Sequence, residues 1–244
     1  MPRFFIAASN IFGGVAYING KDTEHIRALR IKRGEEFIMC DGAGTDYSCR
    51  LIDFSPEGAQ VEIIDKSPSS SEPTVNCSVF IAFSKSDRLE TAVQKSVELG
   101  AYEIVLFQSH RCVSKPEGGA LIKKVDRLQK IAEEAAKQAG RGIIPKVKTV
   151  AGFREAIDLA ASAQVPLFCY EDEQKLGIRE AIETRPDAKT FSVVTGPEGG
   201  FEKTESEYAM ERGMLSVSMG PRILRCETAP MCALSAVMLL TGNM

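Results

Sequence analysis

The N-terminal part of the chain carries short runs in which apolar and polar residues alternate, separated by turn-forming residues. Such alternation is typical of β-strands that bury one face. We predict strands over residues 15–18, 36–39, 47–54 and 61–64. One helix is predicted over 23–30, with Asp22 or Thr23 as its N-cap. The pattern favours a small β-barrel or β-sheet domain.

A segment rich in serine and proline follows these strands. Residues 67–74 read Ser-Pro-Ser-Ser-Ser-Glu-Pro-Thr and show no apolar periodicity. This composition is typical of a linker between domains. We therefore expect two domains, residues 1–70 and residues 74–244.

Beyond the linker, strand-like and helix-like patterns alternate. The predicted strands are 77–83, 103–107, 165–170, 191–194 and 215–219, and the predicted helices are 87–99, 121–139, 153–163, 178–183, 202–212 and 228–240. Gly100, Gly140 and Gly213 follow three of these helices, where glycine commonly ends a helix. The alternation predicts an α/β domain whose parallel sheet is covered by helices on both faces. Ligands of such sheets bind at the carboxyl ends of the strands.

Composition narrows the class of protein. Hydrophobic residues make up 44% and charged residues 26% of the 244 residues, as in ordinary globular proteins. No apolar run approaches the roughly 20 residues of a membrane span, and no secretion signal is evident, so we expect no membrane partner. Seven cysteines without a CxxC pair favour a reducing compartment, and we expect a cytoplasmic protein.

Two common classes of hydrolase are disfavoured by the residue types present. Only two histidines occur, without a CxxC or HxxE pattern, which leaves a metal hydrolase without ligands. A serine hydrolase is disfavoured because no G-x-S-x-G motif is present.

The charge pattern is uneven although the net charge is only −3. Residues 109–150 contain ten basic and four acidic side chains, and Arg27, Arg30, Lys32 and Arg33 form a second basic cluster. Such patches can bind phosphates, because neutralised phosphates release condensed counterions. A solvated helix face is the plain alternative and remains open.

A glycine-rich loop lies at the end of the predicted strand 191–194. It reads Thr195-Gly196-Pro197-Glu198-Gly199-Gly200-Phe201, and its backbone can approach a ligand closely. It is neither a P-loop nor a GxGxxG loop. A plain strand-to-helix turn is the alternative, but a turn does not require Glu198 between glycines.

A second loop follows the next strand, over residues 219–229, and reads Met-Gly-Pro-Arg-Ile-Leu-Arg-Cys-Glu-Thr-Ala. Arg222 and Arg225 at the end of a buried strand are costly unless they are paired or face a cleft. Glu227 or Thr228 as a simple N-cap is the alternative. We favour a binding site.

Together the two loops resemble those of the RsmE family of 16S rRNA uridine-N3 methyltransferases. Further matching segments follow in order over nearly the whole chain, at residues 25–30, 94–100, 109–113 and 134–138, with Arg141 and Pro145. Two departures from the family pattern stand out. Ser86-Asp87-Arg88 replaces the common Gly-Asp-Lys, and Gly142 follows Arg141 where asparagine is usual.

The resemblance implies a fold, a cofactor and partners. The fold is α/β, a SPOUT methyltransferase fold whose parallel sheet ends in a C-terminal trefoil knot, preceded by a small PUA-like β-barrel. The implied cofactor is S-adenosyl-L-methionine and the implied substrate is 16S rRNA, within a 30S subunit or a late precursor. A homodimer with the cofactor site at the subunit interface is also implied. The implied cofactor-binding residues are Tyr170, Thr195, Gly196, Pro197, Glu198, Gly199, Gly200, Met219, Gly220, Ile223 and Leu224.

The chemistry suggests roles for three further groups. Loss of the uracil N3 proton places negative charge on O2 and O4, which a guanidinium can stabilise, and Arg225 is our candidate. Glu227 or Glu198 is the candidate to orient the base or to accept the proton. The candidate RNA-binding residues are Arg3, His25, Arg27 and Arg30 in the first domain, and Arg111, Lys123, Lys124 and Arg141 in the second.

Two other functions remain as alternatives. A SPOUT enzyme could modify another RNA position, such as a tRNA ribose 2′-hydroxyl. The chain could instead be a ribosome-assembly factor that binds RNA without catalysis, although the intact glycine loop and both arginines argue against this.

Overall fold

A computed structural model of the chain describes residues 3–56 and 58–244. Two compact units are present. The first contains the residues up to Glu72 together with Ala136–Ile144, and the second contains Pro73–Ala135 and Pro145–Met244. The segment 136–144 thus packs within the first unit although it lies far beyond the serine-rich segment. The domain bounds 1–70 and 74–244 stay a prediction.

The first unit is built on a six-stranded sheet. Its strands are β1 (Arg3–Phe5), β2 (Ile11–Phe12), β3 (Val15–Ile18), β4 (Glu36–Cys40), β5 (Thr45–Ser55) and β6 (Gly58–Pro68), and its helix is α1 (Lys21–Ala28). The strand order is β1-β4-β5-β6-β3-β2, with β1 parallel to β4 and the other pairs antiparallel. The four predicted strands are confirmed, whereas β1 and β2 escape detection because two or three residues show no periodicity.

The predicted N-cap of α1 is wrong. The N-cap is Gly20, which has no side chain, and the Thr23 hydroxyl donates to the Ile18 carbonyl at 2.7 Å. The serine-rich segment contains the boundary between the two units, between Glu72 and Pro73. Its first two residues belong to β6, and the Glu72 carboxylate accepts hydrogen bonds from the backbone N–H groups of Gly142 and Ile143 at 2.7 and 3.0 Å.

The second unit contains a parallel sheet, as predicted. Its strands are β7 (Asn76–Ala82), β8 (Glu103–Phe107), β9 (Lys146–Thr149), β10 (Val165–Cys169), β11 (Thr190–Thr195) and β12 (Leu215–Val217). The helices that begin in this unit are α2 (Ser86–Glu98), α3 (Gly118–Ala139), α4 (Phe153–Ala160), α5 (Ile178–Glu183), α6 (Lys203–Glu211) and α7 (Thr228–Leu240). All strand pairs are parallel, in the order β12-β10-β11-β7-β8-β9.

The predicted helix ends are largely confirmed. Gly100, Gly140 and Gly213 adopt φ values of 96°, 70° and 83°, the left-handed conformation of a residue that ends a helix. Strand β9 is missed because alternating lysines make this edge strand polar, and α4 ends three residues before the predicted Ala163. No helix in the part of the chain that the structure describes is long and apolar enough to cross a membrane. The knot stays a prediction.

The strand order brings the two sequence motifs together. Strand β10 lies between β11 and β12, and every residue of β10 is buried. Because the three strands are parallel, their carboxyl ends meet at one edge of the sheet. The loops that follow them are therefore neighbours.

Candidate active site

A cavity of about 1130 Å³ lies at this carboxyl edge. Its wall consists of residues 169–174 after β10, residues 196–200 after β11 and residues 218–226 after β12. Arg88 from α2 and Ala229 from α7 complete the lining. The cavity is bounded by the two loops that the sequence singles out and by a third loop, which the family resemblance indicates only through Tyr170.

All but one of the residues assigned to the cofactor line this cavity, namely Tyr170, Gly196, Pro197, Glu198, Gly199, Gly200, Met219, Gly220, Ile223 and Leu224. The exception is Thr195, the last residue of β11. It is fully buried, and its hydroxyl donates to the Phe80 carbonyl at 3.3 Å. Thr195 therefore anchors the loop to the sheet.

The glycines of the first loop lie close to neighbouring side chains of the protein. Gly200 has φ +67°, and a Cβ atom there would overlap the carboxylate of Glu171. A Cβ atom on Gly196 would come within 3.1 Å of the Phe201 ring, and one on Gly199 within 3.1 Å of Arg111 Cβ. Without side chains at these positions, the backbone of the loop itself forms the wall of the cavity.

Glu198 is held through one of its two carboxylate oxygens. Its Oε1 accepts a hydrogen bond from the backbone N–H of Lys85 at 3.1 Å and lies 3.7 Å from Arg88 Nη1. Its Oε2 is buried and has no hydrogen-bond partner among the residues that the structure describes. One oxygen of this carboxylate is thus a buried acceptor that no described residue satisfies.

Glu227 occupies a different position from Glu198. It does not line the cavity, and its Oε2 accepts a hydrogen bond from the Cys226 thiol at 3.3 Å. Burial, followed by the hydrogen bond to Glu227, raises the pKa of the Cys226 thiol. Of the three candidate catalytic residues, Arg225 and Glu198 therefore line the cavity and Glu227 does not.

Arg222 and Arg225 both line the cavity with exposed side chains. Within residues 3–56 and 58–244, the Arg225 guanidinium makes no hydrogen bond or ion pair, so it is available to a ligand. The cost of placing two arginines at the end of a buried strand is avoided because both face the cleft.

Sequence reasoning missed the roles of Arg88 and of the acidic residues Glu171, Asp172 and Glu173, all of which line the cavity. The acidic residues come directly after β10, and their place beside the two motif loops follows only from the strand order. Burial, followed by a hydrogen bond to Asp172, raises the pKa of Tyr170.

Two of the arginines assigned to RNA are engaged inside the first unit. Arg3 pairs with Asp46 and donates to the Gly140 carbonyl at 2.5 Å. The side chain of Arg141 is 4% exposed, and its Nη2 lies 2.5 Å from Glu72 Oε2. Both guanidinium groups hold the segment 136–144 in place.

The remaining basic candidates are at least partly accessible. In the first unit, His25, Arg27 and Arg30 are exposed, and the Arg27 guanidinium lies 5.0 Å from the centre of the Phe54 ring.

In the second unit, Lys123 is exposed and Arg111 Nη1 donates to the Gly199 carbonyl at 3.2 Å. Lys124 Nζ donates to Ser114 Oγ at 3.2 Å, and burial lowers the pKa of Lys124.

Comparison with known proteins gives consistent matches. The family model of an RNA methyltransferase domain matches residues 70–238, and that of an RNA methyltransferase PUA domain matches residues 18–64. The ribosomal RNA small subunit methyltransferase E of Bacillus subtilis (strain 168) is 32% identical over 225 residues, which cover 90% of this chain and 88% of the relative. The protein of the same name from Mesomycoplasma hyopneumoniae (strain 232) is 32% identical over 243 residues, or 99% and 98% of the two chains.

A solved structure shares the fold over almost the full length. It is a ribosomal RNA small subunit methyltransferase E from Neisseria gonorrhoeae bound to S-adenosyl methionine. The TM-score is 0.85 at 30% sequence identity, with 98% of each chain covered.

Proposed function

The chain belongs to the RNA methyltransferase family, and from this premise we propose that it transfers the methyl group of S-adenosyl-L-methionine to N3 of a uridine in 16S ribosomal RNA. The class of substrate follows the name shared by its relatives, ribosomal RNA small subunit methyltransferase E. The choice of uridine N3 rests on the resemblance of the two loop motifs to those of the RsmE family.

The observation that carries the proposal is the cavity between the two motif loops. A backbone wall of glycines next to Tyr170 and Ile223 fits a ligand that has both polar groups and apolar surface. The volume of about 1130 Å³ slightly exceeds the range of roughly 300–1,000 Å³ that is common for small-molecule sites.

S-adenosyl-L-methionine supplies, when bound, an electrophilic methyl group on a positively charged sulfur. The chain has to orient the uracil and to manage the proton on N3. We assign Arg225 to the negative charge on O2 and O4, since its guanidinium lines the cavity and is unpaired among the described residues. We assign the Glu198 carboxylate to the N3–H group, because Glu198 lines the cavity and one of its oxygens has no donor among the described residues. Glu227 is assigned no contact with the substrate, because it does not line the cavity.

RNA binding is assigned to accessible basic residues of each unit. In the first unit these are His25, Arg27 and Arg30, and in the second they are the exposed Arg111 and Lys123 with the half-buried Lys124. Arg3 and Arg141 are left out because their guanidinium groups already pair with carboxylates that are only 11% and 14% exposed. The target uridine has to leave its stack or be single-stranded, since N3 is hidden in a base pair.

We further propose that the protein works as a cytoplasmic homodimer on a 30S subunit or a late precursor. The side chain of Ile223 at the cavity is 81% exposed and Leu239 of α7 is 59% exposed. A second copy that covers these apolar residues would remove them from water. Light scattering coupled to size-exclusion chromatography would give twice the 26.6 kDa mass of the chain, and a monomer at micromolar concentration would contradict the dimer.

The decisive experiment is methyl transfer from tritiated S-adenosyl-L-methionine to unmodified 30S subunits, followed by nucleoside analysis of the rRNA. We expect 3-methyluridine as the product. A 2′-O-methylated nucleoside would favour the rival enzyme, in which case tRNA is the next substrate to assay. Absence of calorimetric binding to the cofactor would favour the non-catalytic assembly factor.

A further inference from the structure

Arg88 lines the cavity together with the two motif loops, but it belongs to helix α2. It sits in the first turn of α2, and its Nη1 is 3.7 Å from Glu198 Oε1 of the glycine-rich loop. Hydrogen bonding to Cys226 and the negative charges of Glu227 and Glu198 raise the pKa of Arg88. Arg88 thus lies within reach of Glu198 in the first loop and of Cys226 in the second.

The start of α2 makes two contacts with the Glu198 carboxylate. The backbone N–H of Lys85 donates a hydrogen bond to it, and the Arg88 guanidinium forms an ion pair with it. Both act on Oε1, and Oε2 has no hydrogen-bond partner within the described residues. A carboxylate that is only 16% exposed is costly unless a cation or donor compensates it. Arg88 is the arginine that provides this compensation while leaving Oε2 free.

We propose that Arg88 is a positioning residue for methyl transfer, which fixes the Glu198 carboxylate in the cavity wall next to Cys226 of the second loop. This inference rests on the proposed function. The planar guanidinium suits the role because it can contact two groups at once, whereas a lysine ammonium is a point charge. The chain carries arginine at the position where the resembling family commonly has lysine, so the two-sided contact is a feature of this sequence.

The test compares Arg88→Ala, Arg88→Gln and Arg88→Lys with the wild-type protein, and uses Arg179→Ala as a matched control. Arg179 is 70% exposed on α5 and does not line the cavity. For each variant, kcat and KM for the RNA, calorimetric Kd for S-adenosyl-L-methionine and the midpoint of thermal unfolding are measured.

We expect kcat of Arg88→Ala and Arg88→Gln to fall by about 10- to 100-fold, as misplaced reacting groups do, with KM and the cofactor Kd within about threefold of wild type. Arg88→Lys should recover part of kcat, and millimolar ethylguanidinium should partly rescue Arg88→Ala. Glu198→Gln should cost less in the Arg88→Ala background than in the wild type, because the two residues act as a unit.

Wild-type kcat in both Arg88→Ala and Arg88→Gln, or strictly additive losses with Glu198→Gln, would overturn the inference. A cofactor Kd that rises in parallel with the loss of kcat would also overturn it, since Arg88 would then be a cofactor ligand. Failure of the wild-type protein itself to methylate rRNA is a separate outcome that would remove the proposed function.

Discussion

The carboxylate of Glu171 accepts a hydrogen bond from the backbone N–H of Phe201 at 3.2 Å. This contact joins the loop after β10 to the glycine-rich loop after β11, although 30 residues separate the two partners. It depends on Gly200, since a Cβ atom at that position would overlap the Glu171 carboxylate. This hydrogen bond therefore links two of the loops that line the cavity.

Gly200→Ala is expected to weaken binding of S-adenosyl-L-methionine at least tenfold, because the new methyl group displaces the Glu171 carboxylate and breaks its hydrogen bond to the Phe201 N–H. Gly213→Ala is the matched control. Gly213 also has a positive φ, +83°, but nothing lies within 4 Å of a Cβ atom there. Both variants should lose about 1–2 kcal/mol of stability from backbone strain, whereas calorimetry should find weaker cofactor binding only for Gly200→Ala. Equal cofactor affinities would show that the glycine is needed for its conformation alone.

Arg225→Ala is expected to lower the single-turnover rate of methyl transfer by about 100-fold or more, because removal of one group that stabilises developing charge has this effect. Binding of S-adenosyl-L-methionine, measured by calorimetry, should stay within about threefold of wild type. Arg225→Lys should retain more activity than the alanine variant, since it keeps the charge. A wild-type rate for Arg225→Ala would remove Arg225 from the mechanism.

Arg141→Ala is expected to destabilise the protein by about 3–5 kcal/mol, because it leaves the buried Glu72 carboxylate without its cation. Urea unfolding would measure the loss, and Glu72→Ala should show a similar one. Arg50→Ala is the control, since Arg50 is 43% exposed and its ion pairs with Glu36 and Glu62 should contribute at most about 1 kcal/mol. Weaker RNA binding by Arg141→Ala at unchanged stability would instead return Arg141 to the RNA-binding surface.

Lys123→Ala is expected to weaken RNA binding and to reduce by about one the slope of log affinity against log salt concentration. Fluorescence anisotropy with labelled rRNA at several salt concentrations would measure both. Lys189→Ala is the matched control, because Lys189 is also exposed but precedes β11, at the edge of the sheet opposite the cavity. Identical slopes for the two variants would place the RNA elsewhere.

Much of the second unit is readable from the sequence because its information is local. Strand β8 and helices α5 and α7 have the predicted bounds, since each is a contiguous run with a clear apolar pattern. Each motif loop is also one continuous stretch of sequence. A glycine cluster that directly follows a buried strand can be placed at the carboxyl end of that strand. These elements depend on residues that are close together in the sequence, so the apolar pattern is enough to predict them.

The tertiary structure decided which charges meet. Arg141 belongs to the same basic segment as Lys123, yet it is paired with Glu72, which lies 69 residues away in the chain, and Arg3 is likewise paired with Asp46. Arg88 likewise reaches Glu198 only because β7 and β11 are adjacent in the sheet. A charge pattern counts cations but does not say which of them lie within reach of a buried carboxylate, because that depends on strand order and packing between distant segments.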